Sequence, residues 1–165
     1  MEKSAEIKIF PVQPGDPKMD QVEQLFRLLY DSESSLGVSI KLAADGEKVW
    51  RRTVEKSLGR FAQIIVACDG DIVAGFSYGS IRMLPAYFGN LIMGFWEGMI
   101  IRPEYRKMGL GDKMTLQLID WWKEKGAVLF EGERLMINEN ASANFERLGF
   151  KIELVKYRRP ANLNS

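Results

Sequence analysis

Two β-rich runs, Ala62 to Cys68 (AQIIVAC) and Ile72 to Met83, are separated only by Asp69-Gly70-Asp71. Asp-Gly between such runs favours a tight hairpin turn whose two central residues both take positive φ. An antiparallel pair in mid-chain commits the fold to a sheet, and the remaining elements must cover it. With 165 residues, 46% of them hydrophobic and 27% charged, the chain is long enough for one domain with a real core and short for two. No internal repeat, low-complexity tract or Pro/Gly/Ser linker divides it. One domain is therefore expected within residues 1–165, folded from about residue 5 to about residue 159, with Pro160 to Ser165 as a tail.

The rest of the chain reads as further strands and amphipathic helices. Ala5 to Val12 suggests a first strand ended by Pro14-Gly15, and Asp16 can cap a helix with Pro17 at its first position and Val22, Leu25, Phe26 and Leu29 on one face. Asp45 can start a second helix in which Val49, Trp50, Thr53, Val54 and Leu58 share a face, with Gly59 as its stop. A strand is expected over Leu91 to Ile101, then a helix from Leu110 to Lys125 ended by Gly126. Arg134 to Ile137 reads as a short strand, Ala141 to Leu148 as a short helix, and Phe150 to Arg158 as a final alternating strand. The order β-α-α-β-β-β-α-β-α-β, hairpins first and β-α-β units later, gives an α+β fold (mixed α/β) around one sheet.

Composition closes off several kinds of chemistry. There is no histidine, which removes Ser-His-Asp and Cys-His catalysis and histidine metal ligation. The single cysteine, Cys68, allows no intramolecular disulfide and no cysteine-built metal site, and its apolar strand suggests a small buried hydrophobe in a reducing, cytoplasmic setting. No metal is implied. A formal net charge of +1 advertises neither nucleic acid nor an anionic membrane as partner. The beginning MEKSAEIKIF lacks the apolar core of a signal peptide, no run approaches the ~18 apolar residues of a membrane span, and a soluble protein is expected.

The segment Arg106-Lys107-Met108-Gly109-Leu110-Gly111-Asp112-Lys113 lies between a strand and a helix. Two glycines there let the backbone turn tightly with its N–H groups inward, and the following helix offers its positive end, which together form a phosphate cradle. Arg102, Arg106, Lys107 and Lys113 add cationic donors. The plainer reading is a loop that needs glycine only for its turn. A nucleoside-triphosphate loop is set aside because Gly111 is followed by Asp112-Lys113-Met114, and a dinucleotide fingerprint because Met114 stands where a third glycine belongs.

These residues resemble a family. I101-R-P-E-Y-R-K-M-G-L-G111 is similar to motif A of the GCN5-related N-acetyltransferases (GNAT), R/Q-x-x-G-x-G/A after a strand ending in V-x-P-E-Y-R, with Arg106, Gly109 and Gly111 at the signature positions. Downstream, N138-E-N-A-S-A-N-F145-E-R-L-G-F150 resembles the family's N-x-x-A-x-x-x-Y-E-K-L-G-F element. The resemblance is strong over residues 91 to 158 and rests on element order before that. It implies a mixed, mostly antiparallel sheet flanked by helices, and acetyl-CoA as co-substrate. It also implies that Arg106, Lys107, Met108, Gly109, Leu110 and Gly111 hold the pyrophosphate. The pantetheine arm would lie along Met99, Ile100 and Ile101, with Asn138 contacting it and Phe145 beside it.

Glu97 is the candidate base. Period-two geometry puts it on one face with Met99 and Ile101 in an apolar stretch, where desolvation would raise its pKa and suit it to take a proton from an ammonium group. Many GNAT enzymes place their base at this strand position, and the plainer alternative is a structural carboxylate paired to an arginine or lysine across the sheet. Phe145 departs from the family pattern, because the tyrosine usual there protonates the departing thiolate. Ser142 is a weak substitute. Trp121 and Trp122 read as core residues, and Glu131, Glu133 and Glu139 as a solvated rim. Tyr30, Asp31, Glu33 and Trp50 lie where the family builds its acceptor pocket, although solvated charges and a core tryptophan are the simpler account.

The expected activity is transfer of an acetyl group from acetyl-CoA to a small-molecule or peptide amine, in a ternary complex and without a covalent enzyme intermediate. A non-catalytic acyl-CoA-binding sensor is the alternative that Phe145 favours, and a structural interaction domain is a third. Only fifteen residues follow Phe150, one strand and a tail where many relatives have a hairpin, so completion of the last sheet edge by a homodimer is a further expectation.

Overall fold

A computed structural model describes residues 6–136 and 138–161. Its centre is the expected hairpin, Ala62–Asp69 (β2) and Ile72–Met83 (β3). Asp69 pairs with Ile72, so the two turn residues are Gly70 and Asp71, and only Gly70 takes positive φ (57°). The two-positive-φ turn does not form because the register shifts the turn by one residue, giving the glycine-first pattern that needs a single positive φ. Lys8–Pro11 (β1) pairs antiparallel with β2 and Ile92–Ile101 (β4) antiparallel with β3, while Leu129–Gly132 (β5) runs parallel to β4 at the edge. The sheet order is thus β1-β2-β3-β4-β5, mixed and mostly antiparallel.

Helices Met19–Ser35 (α1) and Gly46–Glu55 (α2) cover one face, and Leu110–Glu124 (α3) the other. The start of α1 falls after Asp16-Pro17; Asp16 instead accepts the Lys18 N–H at 2.9 Å in the preceding turn. On α2, Val54 is buried and Trp50 partly so, but Val49 and Thr53 are exposed, because the helix lies on the aromatic cluster of Phe26 and Tyr78 through a narrower stripe than the sequence pattern implies. Trp50 stacks on Phe26 with ring centres 3.9 Å apart. Ion pairs from Arg27 to Glu47 and from Arg51 to Glu23 tie α1 to α2.

Trp122 organises the opposite face. It is fully buried, and a Cβ at Gly79 or at Gly94 would lie 2.5 Å from its ring, so β3 and β4 each have a glycine where the indole presses on the sheet. After α3, Gly126 (φ 83°) and Ala127 donate to Lys123 and Trp122 carbonyls, a glycine C-cap that turns the chain straight into β5. Phe130 then stacks on Trp122 at 5.3 Å.

Two expected strands are absent. The strand after α3 is Leu129–Gly132 rather than Arg134 to Ile137, since the Gly126 turn delivers the chain to the β4 edge at once; Arg134 bonds to the carbonyls of Leu135 and Met136 instead. Glu139–Arg147 (α4) follows as expected. Beyond Phe150 no described residue joins a strand, and Ile152, Leu154 and Tyr157 are exposed, because no neighbouring strand supplies them with hydrogen bonds. The expectations at Ala5, Ile137 and Asn162 to Ser165 lie outside the described residues. Among the described residues no helix is long and apolar enough to cross a membrane.

The packing of Trp122 makes a direct prediction. Gly94→Ala overpacks a site with no free volume and should cost about 2 kcal/mol, a fall of roughly 4 to 8 °C in Tm by thermal denaturation.

Candidate active site

β5 pairs with β4 only from Met93 to Trp96. From Glu97 to Ile101 the outer edge of β4 has no strand partner among the described residues, and its backbone groups face an open wedge. Phe145 of α4 sits at the base of that wedge, 4.9 Å from Trp96 and 5.3 Å from Phe150 by ring centres. A Cβ at Gly132 would meet its ring at 2.5 Å, so β5 ends where the phenyl group begins.

Where the pairing stops, β4 also bulges. Trp96 pairs with Gly79 and Gly98 with Tyr78, which leaves Glu97 as the extra residue. The bulge flips the alternation. Trp96, Met99 and Ile101 pack on the α3 side, whereas Glu97 joins Ser80 and Arg82 on the α1 side. The expected shared face with Met99 and Ile101 is therefore corrected, and so is the expected desolvation. Glu97 is exposed, and its Oε1 accepts from Ser80 Oγ and from Arg82 Nη2, each at 2.6 Å. The Arg82 guanidinium rests 4.1 Å over the Phe95 ring, which stiffens the pair. The pairing to an arginine across the sheet is the plainer alternative read from the sequence; that the arginine is Arg82, with Ser80 and Phe95 beside it, escapes that reading because it depends on the register around the bulge.

Around this carboxylate α1 contributes Tyr30 and Glu33, and β3 contributes Tyr78. Burial pushes the Glu33 carboxyl up from the ordinary glutamate range. Burial likewise raises the Tyr78 phenol, with Tyr30, Glu97 and Glu33 adding to the effect, and it raises Tyr30 as well. Both phenols stay neutral donors at neutral pH. Asp31 is exposed and lies 3.7 Å from Arg27, and Trp50 belongs to the core, so the simpler account holds for these two.

Beyond the end of β4 the chain forms the loop expected to be a phosphate cradle. Arg106 is extended and donates from Nε to the Ile101 carbonyl at 3.1 Å. Lys107 (φ 62°) and Gly109 (φ 71°) are left-handed with Met108 between them, and left-handed residues in such a turn are the kind from which backbone anion nests are built. No atom lies within 4 Å of a Cβ built on Gly109, so the space before the loop is open. Gly111 serves close packing instead, since its Cβ would come within 3.0 Å of Met99 Sδ, and glycine lets α3 sit directly on β4. Leu110 is buried as the first residue of α3, and Met108 is half-exposed at the lip. Arg102 likewise donates from Nε to a backbone carbonyl, Val73 O at 2.8 Å, which ties the end of β4 to the start of β3.

Asn138 caps α4, its Oδ1 accepting the Ala141 N–H at 3.3 Å. Arg147 bonds to both oxygens of Asp112 at 3.0 Å, fixing α4 to the first turn of α3. Ser142 bonds to Glu146, 3.3 Å away. Trp121 and Trp122 are core residues, as expected. The cradle, the unpaired segment Met99–Ile101 and α4 thus surround one wedge, with Glu97 on the far face of the same strand.

Comparison with known proteins places the fold. Among solved structures, the aminoglycoside N-acetyltransferase AAC(6')-Iy in complex with CoA superposes with a TM-score of 0.77 at 16% identity, over 98% of this chain and 99% of that one. The same enzyme with a bisubstrate analogue, CoA-S-monomethyl-acetylneamine, gives 0.74 at 16% identity over 94% and 99%. A transcriptional regulator from Bacillus halodurans gives 0.69 at 19% identity over 94% and 99%. At such identities the likeness is one of fold. No curated protein matches the chain significantly. A family profile described as acetyltransferase (GNAT) domain matches residues 60–152, which run from the central hairpin through the cradle to the end of α4. That span exceeds half of the chain, and the chain therefore belongs to the GNAT acetyltransferase family.

Proposed function

We propose that the protein is an N-acyltransferase that moves an acetyl group from acetyl-CoA to a small cationic amine. The observation that carries this reading is the convergence on β4 of an anion-binding loop, an unpaired strand edge and an accessible, fixed carboxylate. The residues fit the co-substrate: the N–H groups of Lys107 to Gly111 suit a pyrophosphate, with Arg106 and Lys107 as countercharge. The free edge at Met99, Ile100 and Ile101 suits an arm that carries amide groups, with Asn138 and Phe145 on its other side.

In the proposed step both substrates are bound together. Glu97 takes a proton from the acceptor ammonium, directly or through water, and the freed amine attacks the thioester carbonyl, whose oxygen is polarised by strand amides near Met99. The new N–C bond forms as the C–S bond breaks, the second proton of the attacking nitrogen passes to water, and the sulfur departs as thiolate. Phe145 offers it no proton; a thiol with a pKa of roughly 8.5 leaves tolerably near neutral pH and takes its proton from water. Arg82 and Ser80 act on Glu97, holding one carboxylate oxygen and leaving the other free, which makes them positioning residues.

A cationic acceptor is supported by the accessible carboxylate of Glu97 on the α1 side and by the aminoglycosides named for structural neighbours. The buried free thiol of Cys68 is consistent with a cytoplasmic location. The second reading, an acyl-CoA sensor, is favoured by one observation, the phenylalanine at 145.

Calorimetric titration with acetyl-CoA tests the cradle. Binding is expected in the wild type, and Gly109→Trp, which strains a left-handed residue and fills the open space, should weaken it by at least about tenfold. An amine screen with a thiol-release readout then tests the base. Glu97→Gln should lower kcat/KM by about 10²- to 10⁴-fold with acetyl-CoA affinity unchanged. Arg82→Ala should lower kcat by about tenfold, and Arg82→Lys should restore part of it. Tight binding with no thiol release against any amine would select the sensor, and no binding at all would overturn both readings.

A further inference from the structure

From Met83 to Trp96 the sequence MLPAYFGNLIMGFW carries no charged residue, yet half of that run lies outside the core. Residues 85–91 connect β3 to β4 and are all exposed. Tyr87 and Phe88 are 81% and 58% exposed, with ring centres 4.7 Å apart on a single 3₁₀ turn, Ala86–Phe88. The tip is held by its own backbone: the N–H groups of Leu84, Phe88 and Gly89 donate to the carbonyls of Leu91, Pro85 and Ala86, each at 2.8 Å. Strand register brings more apolar groups to this end of the sheet. Met83 pairs with Ile92, Phe61 O accepts the Ile81 N–H, and the Val128 N–H bonds to Ile92 O; Met83, Phe61 and Val128 are each more than half exposed. An exposed apolar patch of this kind marks a surface that meets something other than water.

We infer that this end of the molecule docks on an anionic lipid bilayer, with the Tyr87-Phe88 tip entering the headgroup layer. Charge selects the occupant. Lys56 and Arg60 lie in the turn that leads to Phe61, and Lys123 and Lys125 close α3 just before Val128. The acids among these residues are Glu55, already bonded to Arg51, and Glu124, while Arg82 beside Met83 is bonded to Glu97. The formal charge of +1 averages over this local excess, so composition does not reveal it. Anionic headgroups would meet the cations while the aromatic rings reach the acyl boundary, where an amphipathic phenol is well placed. A second copy of the chain seated on the same patch would instead bring like charges together. The internal bonds of the tip let its backbone enter a medium poor in water without losing those partners. Met99 stands seven residues beyond Ile92, about 23 Å along the strand, so a docked subunit keeps its wedge in water.

Flotation of the full chain with lipid vesicles tests this, and no readout depends on acetyl-CoA or on the proposed activity. At about 0.1 M salt the protein should float with phosphatidylcholine vesicles containing about 30% phosphatidylglycerol, stay behind with phosphatidylcholine alone, and lose binding as salt is raised. Tyr87→Ser with Phe88→Ser should lower the partition coefficient at least about tenfold while the far-UV circular dichroism spectrum is kept. Arg60→Glu with Lys123→Glu should lower it by a similar factor, about tenfold or more. A wild type that does not float with the anionic vesicles would overturn the inference. So would flotation that the aromatic pair leaves unchanged, which is a charge effect without insertion. A wild type that self-associates without vesicles, and becomes monomeric when Tyr87 and Phe88 are replaced, would assign the tip to a second copy and overturn it too. If the aromatic variant misfolds, the charge variant, which alters only exposed side chains, decides.

Discussion

The change in pairing on β4 governs the molecule. Up to Trp96 the strand is bonded on both edges; from Glu97 onward, among the described residues, it is bonded only to β3. Phe145 enforces the change from one side, occupying the place where β5 would continue, and the bulge at Glu97 does so from the other by breaking the alternation. A polar backbone edge is costly to leave without partners, so a sheet keeps such a gap open only where something else is to bind. Both halves of the proposed chemistry follow: the amides of Met99 to Ile101 become available on one side, and a carboxylate is turned to the other.

What holds the gap open is rigid packing on the α3 side. Trp122 presses against Gly79 and Gly94, so β3 and β4 cannot shift without moving a fully buried indole. Gly111 brings α3 onto Met99 and Ile101, which sets the height of the cradle above the strand edge. The bidentate Arg147–Asp112 pair fastens α4, and with it Asn138 and Phe145, to the same helix end. Three glycines and one ion pair thus register loop, strand and helix around one wedge.

The cradle was legible in the sequence because it is local: Gly109 and Gly111 act through backbone geometry and close approach, and neither needs a distant partner to be recognised. The role of Trp122 as core was legible for a similar reason, since its helical spacing with Met114 and Leu118 marks one face. The environment of Glu97 was legible only as an unassigned alternative, an arginine or lysine across the sheet; its face and its partner were not. Period two places it with Met99, and only the one-residue bulge, a property of the β3–β4 register, moves it next to Ser80 and Arg82. β5 escaped for another reason: Leu129–Gly132 is four residues long with little β pattern of its own, and it is a strand because the Gly126 cap delivers it to β4 and Phe130 finds Trp122. The segment 151–158 failed in the opposite sense, a strong pattern with no strand partner among the described residues.

The sequence by itself determined the central hairpin, the helical faces, the glycine-built loop and the exclusion of histidine chemistry, all of which depend on residue type and short-range spacing. Only the tertiary structure decided which face Glu97 occupies, which backbone carbonyls Arg102 and Arg106 each engage, and where the sheet stops. Those outcomes depend on register and on contacts between residues far apart in the chain. A shift of one position in a strand moves a side chain through the sheet without changing a single letter.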